Sequence, residues 1–328
     1  MRQQGVLCGK RFLVTTAFVI IACFGAVASD NSSLNWFQVS PGVSPPERAY
    51  PSMAYDPVSK KIVLFGGYNG AYLNDTWTFD GKTWTQMQTA VAPPPRTNAS
   101  MAFDRGTQAV ILFGGYNGSQ YLGDTWVWNG AKSAWTLAHP VSSPKAVTGP
   151  MLFSDPVNGH VDVFGGFDGR FYQATTYQWR GGNWINLNPS GVAYARSIAV
   201  CASDTATKTT VLFAGLADLN PNNTWTWNGT TWTMQNPSTQ PGDRYGSPGG
   251  YDPTLQEVVV FGGGQGGVDI NDTWVWDGID WTELFPTNSP EGREGYGIVF
   301  DPVLGHIIIF GGQSGSSFLG DTWALGSQ

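Results

Sequence analysis

The chain has 328 residues, of which 41% are apolar, 14% aromatic and only 12% charged, a profile that excludes disorder and coiled coil and demands a packed core. Its 43 glycines and 21 prolines are too many for long helices and suit short strands joined by tight turns. The net charge of −7 argues against nucleic-acid backbones and anionic membranes as partners.

Residues 1 to 28 join a basic start (Arg2, Lys10, Arg11) to an apolar run from Phe12 to Ala22 and the small-residue triplet Ala26-Val27-Ala28. That is the pattern of a secretory signal peptide cleaved before Ser29, so export, to the exterior or the periplasm, is expected. The apolar run is shorter than the roughly 20 residues of a membrane span. Ile20-Ile21-Ala22-Cys23 also fits a lipobox, an alternative in which Cys23 carries a lipid anchor at the cell envelope. Residues 29 to 33 would be a short tether. Without the leader, 14 basic residues face 24 acidic ones, and Cys201 is left as the sole cysteine, which excludes an internal disulfide.

From residue 34 to 328 the chain repeats. Phe65-Gly66-Gly67, Phe113-Gly114-Gly115, Phe164-Gly165-Gly166, Phe213-Ala214-Gly215, Phe261-Gly262-Gly263 and Phe310-Gly311-Gly312 recur at spacings of 48, 51, 49, 48 and 49 residues, marking six units. Each unit continues to a threonine and an aromatic, as in Asp75-Thr76-Trp77 and Thr175-Thr176-Tyr177, and five carry a further tryptophan at Trp84, Trp135, Trp184, Trp232 or Trp281. Within the first unit, strands are expected over Ser52 to Tyr55, Ile62 to Phe65, Thr76 to Phe79 and Thr83 to Gln86, with turns at Asp56-Pro57 and Asp80-Gly81. Four such strands make one antiparallel blade that must stack on its neighbours to bury both faces. The sixth unit lacks a fourth strand, while Asn35-Trp36-Phe37-Gln38 matches Thr83-Trp84-Thr85-Gln86. The N-terminal strand is therefore expected to close the ring and remove the exposed edge. All fifteen tryptophans fall on third or fourth strands and are read as inter-blade packing.

A Gly-Gly after a hydrophobic strand, an aromatic about a dozen residues on and a second tryptophan seven to nine later resemble the kelch repeat over residues 34 to 325. The resemblance implies an all-β, six-bladed kelch β-propeller. It also places the loops between blades, and those joining second to third strands, on one face.

Those loops carry the candidate chemistry. An arginine stands eight residues before the turn aspartate in five units, at Arg48, Arg96, Arg196, Arg244 and Arg293. The resemblance gathers them into a ring that could bind a carboxylate or sulfate through bidentate guanidinium forks. The competing reading pairs each with the aspartate opening its third strand (Asp75, Asp124, Asp272, Asp321), because the third unit has lost both partners; Arg196 faces Asn223. In the variable loops after Gly-Gly, Tyr68, Tyr116, Arg170 and Tyr172 are candidates for ligand contact, with Asn69, Tyr72, Asn117, Tyr121, Asp168, Phe171, Asp218, Asn220, Gln265, Asp269, Gln313 and Phe318 beside them.

No catalytic set stands out. His160 and His306 occupy equivalent hairpins of different units and His139 stands apart, so neither a metal nor another cofactor is expected. Cys201 reads as a buried apolar residue. The function expected is an exported scaffold whose loop face binds a protein or glycan partner. The alternative is a carbohydrate-active enzyme similar to exported N-acetylneuraminate epimerases, in which the arginines hold an acidic sugar and Glu47, Glu291 or Glu294 moves protons.

Overall fold

A computed structural model describes residues 34–218 and 222–327. The expected signal peptide, its cleavage site, the Cys23 anchor, the tether and Asn220 lie outside them. The described residues form six four-stranded antiparallel sheets and one two-stranded hairpin.

Blade 1 runs through Ser52–Asp56, Lys61–Tyr68, Tyr72–Phe79 and Trp84–Met87. Blade 2 is Ser100–Asp104, Ala109–Phe113, Thr125–Asn129 and Ala134–Leu137. Blade 3 is Met151–Ser154, Val161–Phe164, Thr176–Arg180 and Asn183–Asn186. Blade 4 is Val200–Asp204, Thr209–Phe213, Thr224–Trp227 and Trp232–Met234. Blade 5 is Gly249–Asp252, Glu257–Gln265, Val268–Trp276 and Trp281–Leu284. Blade 6 takes Gly297–Asp301, His306–Phe310 and Thr322–Ser327 from the C-terminal end and Leu34–Val39 from the N-terminal end. The two ends pair antiparallel from Leu34 opposite Ser327 to Val39 opposite Thr322.

The second strands read as apolar runs, Ile62-Val63-Leu64-Phe65 among them, interrupted in blade 3 by Asp162, because each sheet is covered on both faces by its neighbours. The core is accordingly divided into six clusters, each drawn from two adjacent blades.

Each seam carries the same polar bond. The indole of the outer-strand tryptophan donates to a buried threonine on the third strand of the preceding blade: Trp84 to Thr322, Trp135 to Thr76, Trp184 to Thr125, Trp232 to Thr176, Trp281 to Thr224 and Trp36 to Thr273, at 2.8–3.1 Å. These tryptophans are 0–4% exposed. A ring of that size buried between sheets needs a partner for its N–H, and the repeated Thr-Trp pair supplies one at every seam.

At the axis, one residue from each inter-blade loop joins a closed circle of backbone hydrogen bonds. Asn98 donates to Tyr50, Gly149 to Asn98, Ile198 to Gly149, Gly246 to Ile198, Gly295 to Gly246 and Tyr50 back to Gly295. All six have left-handed backbones, with φ between 42° and 63°. Gly295 has no alternative, since a β-carbon there would lie 2.8 Å from three ring atoms of Tyr50. Behind this circle an axial cavity of about 130 Å³ is lined by Met53, Met101, Cys201 and Ile298, among others. Burial pushes the Cys201 thiol well above its ordinary pKa, which suits an inert apolar residue.

Candidate binding face

The loops carrying the arginines and those following Gly-Gly meet through six equivalent bridges, from Ala49 opposite Tyr68 round to Glu294 opposite Gln313. They build one face of the propeller, and every candidate residue within the described chain belongs to it.

The arginines lie within this face, not upon it. Arg48, Arg96, Arg196, Arg244 and Arg293 are 0–1% exposed. In each, Nε donates to the carbonyl two residues back and Nη1 to the carbonyl of the first residue after the Phe of its own blade's Phe-Gly-Gly or Phe-Ala-Gly step. Both Nη atoms of Arg48, Arg96, Arg244 and Arg293 clasp Asp75, Asp124, Asp272 and Asp321 at 2.6–2.9 Å. The same aspartates accept the indole N–H of Trp77, Trp126, Trp274 and Trp323. Burial alone would raise the Asp75, Asp124 and Asp321 carboxyls, but the guanidiniums hold them below the usual carboxylate range. Arg196 bonds to Asn223, and burial lowers its pKa to about 10. Each arginine's backbone also bonds the preceding blade, as in Gly67 N–H to the Arg96 carbonyl at 2.9 Å. Each guanidinium therefore clamps its inter-blade loop onto its own blade, and the arginine's backbone ties that loop to the preceding one. The forks that could meet a carboxylate or sulfate are bonded here to Asp75, Asp124, Asn223, Asp272 and Asp321.

Blade 3 lacks the clamp as a unit. Val147, Thr175 and Tyr177 stand where the other blades carry arginine, acid or amide, and tryptophan. Val147 is buried in the seam between blades 2 and 3, and Tyr177 replaces an indole that would have no carboxylate to receive its N–H.

Across the surface of the face runs a line of aromatic rings: Phe318, Tyr68, Tyr72, Tyr116, Tyr121, Phe167 and Tyr172. Successive centroids are 5.7, 5.0, 6.0, 5.1, 6.0 and 4.9 Å apart. The rings come from blades 6, 1, 2 and 3, all are half-buried, and most meet tilted or edge to face, the arrangement their quadrupoles prefer. Glycines seat them: a β-carbon on Gly118 would lie 2.6 Å from the Tyr72 ring, and one on Gly169 would lie 2.4 Å from Tyr121. Tyr68, Tyr116 and Tyr172 are thus brought together. Arg170 is not, since its guanidinium projects over the Phe171 ring, 4.9 Å from the centroid, at an exposed hairpin tip. Sequence reasoning missed Phe167, although it follows Gly-Gly at the position of Tyr68 and Tyr116 and that equivalence is the signal that could have found it.

The line stops at blades 4 and 5, where Leu216 and Gly264 occupy the positions of Tyr68, Tyr116 and Phe167. A cleft of about 230 Å³ opens there, lined by Leu216, Asp243, Tyr245, Gly264 and Gln265 with Arg244 beneath. Behind it lies Glu294, 8% exposed. Burial raises the Glu294 carboxyl; Tyr50 opposes that, Asp269 adds to it, and Gln313 Nε2 donates to Oε1 at 3.1 Å.

A family model, the KLHDC2/KLHL20/DRC7 Kelch-repeats domain, matches residues 26–215, more than half of the chain. The chain belongs to the kelch-repeat family. No curated protein matches it in sequence. As a kelch propeller the molecule is a scaffold of a kind suited to binding protein partners, and no helix among its described residues is long and apolar enough to cross a membrane.

His160 and His306 lie apart in different blades of this kelch propeller. His160 Nδ1 lies 3.2 Å from Asp104, whereas His306 packs against Phe37 in blade 6; among the described residues no cluster of three or more His, Cys, Asp or Glu could hold a metal. Glu294 has the buried, raised carboxyl that proton transfer would want. However, Arg293, its neighbour in the chain, turns away into Asp321, so no guanidinium beside Glu294 is offered to an acidic sugar.

Proposed function

We propose that this kelch propeller is an exported binding scaffold that seats an extended protein segment across the aromatic line of its loop face. The observation that carries the proposal is the line itself: seven half-exposed rings, spaced by 4.9–6.0 Å over four blades, on loops that buried clamps fix in blades 6, 1 and 2. Rigid aromatics supply contact area at small entropic cost, and they dominate the energetics of protein interfaces. The leader pattern of residues 1 to 28 supports export.

The test is to probe the chain on peptide and glycan arrays, the latter including sialic and uronic acids, alongside Tyr68→Ala and Tyr116→Ala. Peptide binding should weaken tenfold or more in each variant while the unfolding midpoint stays in place. Arg96→Ala should do the reverse and lower the midpoint. Binding to glycans alone would move the partner to sugars, and binding indifferent to both tyrosines would overturn the assignment of this face.

A further inference from the structure

The face is chemically two-sided. Blades 6 to 3 present rings, whereas the cleft at blades 4 and 5 presents Asp243 at its exposed rim and the Tyr245 ring at its wall. Gly264 leaves room for the Glu294 carboxylate: a β-carbon there would lie 2.4 Å from Oε2 and 2.6 Å from Tyr245 Cζ. Glu294 Oε1 is bonded to Gln313, but Oε2 makes no hydrogen bond of ordinary geometry. The Tyr50 hydroxyl approaches the same carboxylate and Asp269 adds a like charge. Arg244, the sole cation lining the cleft among the described residues, spends its guanidinium on Asp272 and the Gly262 carbonyl.

We infer that this cleft takes a cationic side chain, lysine or arginine, of the protein segment that the neighbouring aromatic line holds. The inference rests on the binding role just proposed for that line. A carboxylate removed from water with an oxygen left unbonded is stabilised by an incoming ammonium or guanidinium, which brings several N–H donors and an opposite charge. The apolar stem of such a side chain packs on Leu216, and its head meets the face of Tyr245. An acidic or neutral side chain would leave Glu294 and Asp243 uncompensated. The acidic balance of the chain, 24 acidic residues against 17 basic, draws the same class of partner at a distance.

The experiment selects binders from a random twelve-residue peptide display library with the wild-type chain, Glu294→Gln, Asp243→Asn and Tyr116→Ala. Wild type should enrich peptides bearing lysine or arginine at a fixed spacing from apolar or aromatic positions. Glu294→Gln and Asp243→Asn should keep the apolar positions and lose the basic one. For a synthetic enriched peptide, replacing its lysine by norleucine should cost tenfold or more in affinity for wild type and under threefold for Glu294→Gln. Tyr116-dependent peptides with no basic position, or an equal loss in wild type and Glu294→Gln, would overturn the inference alone. Selection of no peptide, or of peptides that bind Tyr116→Ala undiminished, would overturn the binding role of the line and the inference with it.

Discussion

Asp162 occupies a place that the other second strands give to Val63, Ile111, Val211, Val259 and Ile308, and it is fully buried. Its Oδ1 accepts from Gln178 Nε2 at 2.7 Å and its Oδ2 from the Trp227 indole across the seam at 2.9 Å. The equivalent indoles of Trp128, Trp179 and Trp276 have no partner, so the carboxyl repairs one defect of the repeat at the cost of desolvation. Burial first, and the nearby Asp155 carboxylate second, push its pKa up to about 8. The folded chain then holds a proton that the unfolded chain has released, so this site weakens stability as pH rises from about 4 through 8, by up to about 1.4 kcal/mol per unit. Asp75, Asp124 and Asp321 act in the opposite sense: their lowered pKa values give stability that is present above about pH 4 and lost below it. Denaturant midpoints measured from pH 4 to 9 should fall towards alkaline pH in wild type and flatten in Asp162→Asn. An unchanged slope in the variant would show that Asp162 is ionised in the native state.

Blade 3 makes the clamp testable as an element. Val147→Arg alone would bury a guanidinium with Thr175 opposite it, at a cost of about 3–5 kcal/mol; adding Thr175→Asp and Tyr177→Trp rebuilds the set that the other blades carry and should recover most of that loss. A triple variant no more stable than the single one would mean that the clamp depends on features of its own blade beyond these three residues. The success of reading this element in the sequence has a physical basis. Phe-Gly-Gly, Thr-Trp and the arginine recur because every seam imposes the same demands, so periodicity reveals them, and the paired loss of Arg and Asp in one unit already pointed to a clamp. The aromatic line does not recur in that way. Its Tyr72 to Tyr116 contact joins loops of different blades, and only the assembled ring brings them within 6.0 Å. The axial circle was less legible still: Tyr50, Asn98, Gly149, Ile198, Gly246 and Gly295 share no side-chain chemistry, only a left-handed backbone.

For the molecule as a whole, closure is the cooperative step. Four of the six Trp–Thr bonds join blades that are consecutive in sequence, whereas Trp84 to Thr322 and Trp36 to Thr273 reach across 238 and 237 residues, from one end of the chain to the other. The axial circle has the same property, since its last bond, from Tyr50 to Gly295, forms only when blade 6 meets blade 1. Trp36 and Trp135 are both buried, each with an indole bond and an edge-on phenylalanine, at 5.2 Å from Phe261 and 5.4 Å from Phe65. Replacing either by alanine should therefore cost a similar about 3–5 kcal/mol in packing. The consequences should differ in kind. Trp135→Ala leaves its strand held between two continuous stretches of chain, whereas Trp36→Ala releases the outermost strand of blade 6 and bares the Thr322–Ser327 edge to other chains. In hydrogen exchange, amides of Thr322–Ser327 should lose protection in Trp36→Ala under conditions where the rest of the propeller keeps it, with concentration-dependent association on standing. Trp135→Ala should lower global stability without either effect. Equal, uniform loss of protection in the two variants would show that the ring opens as one unit, with no weak point at its seam.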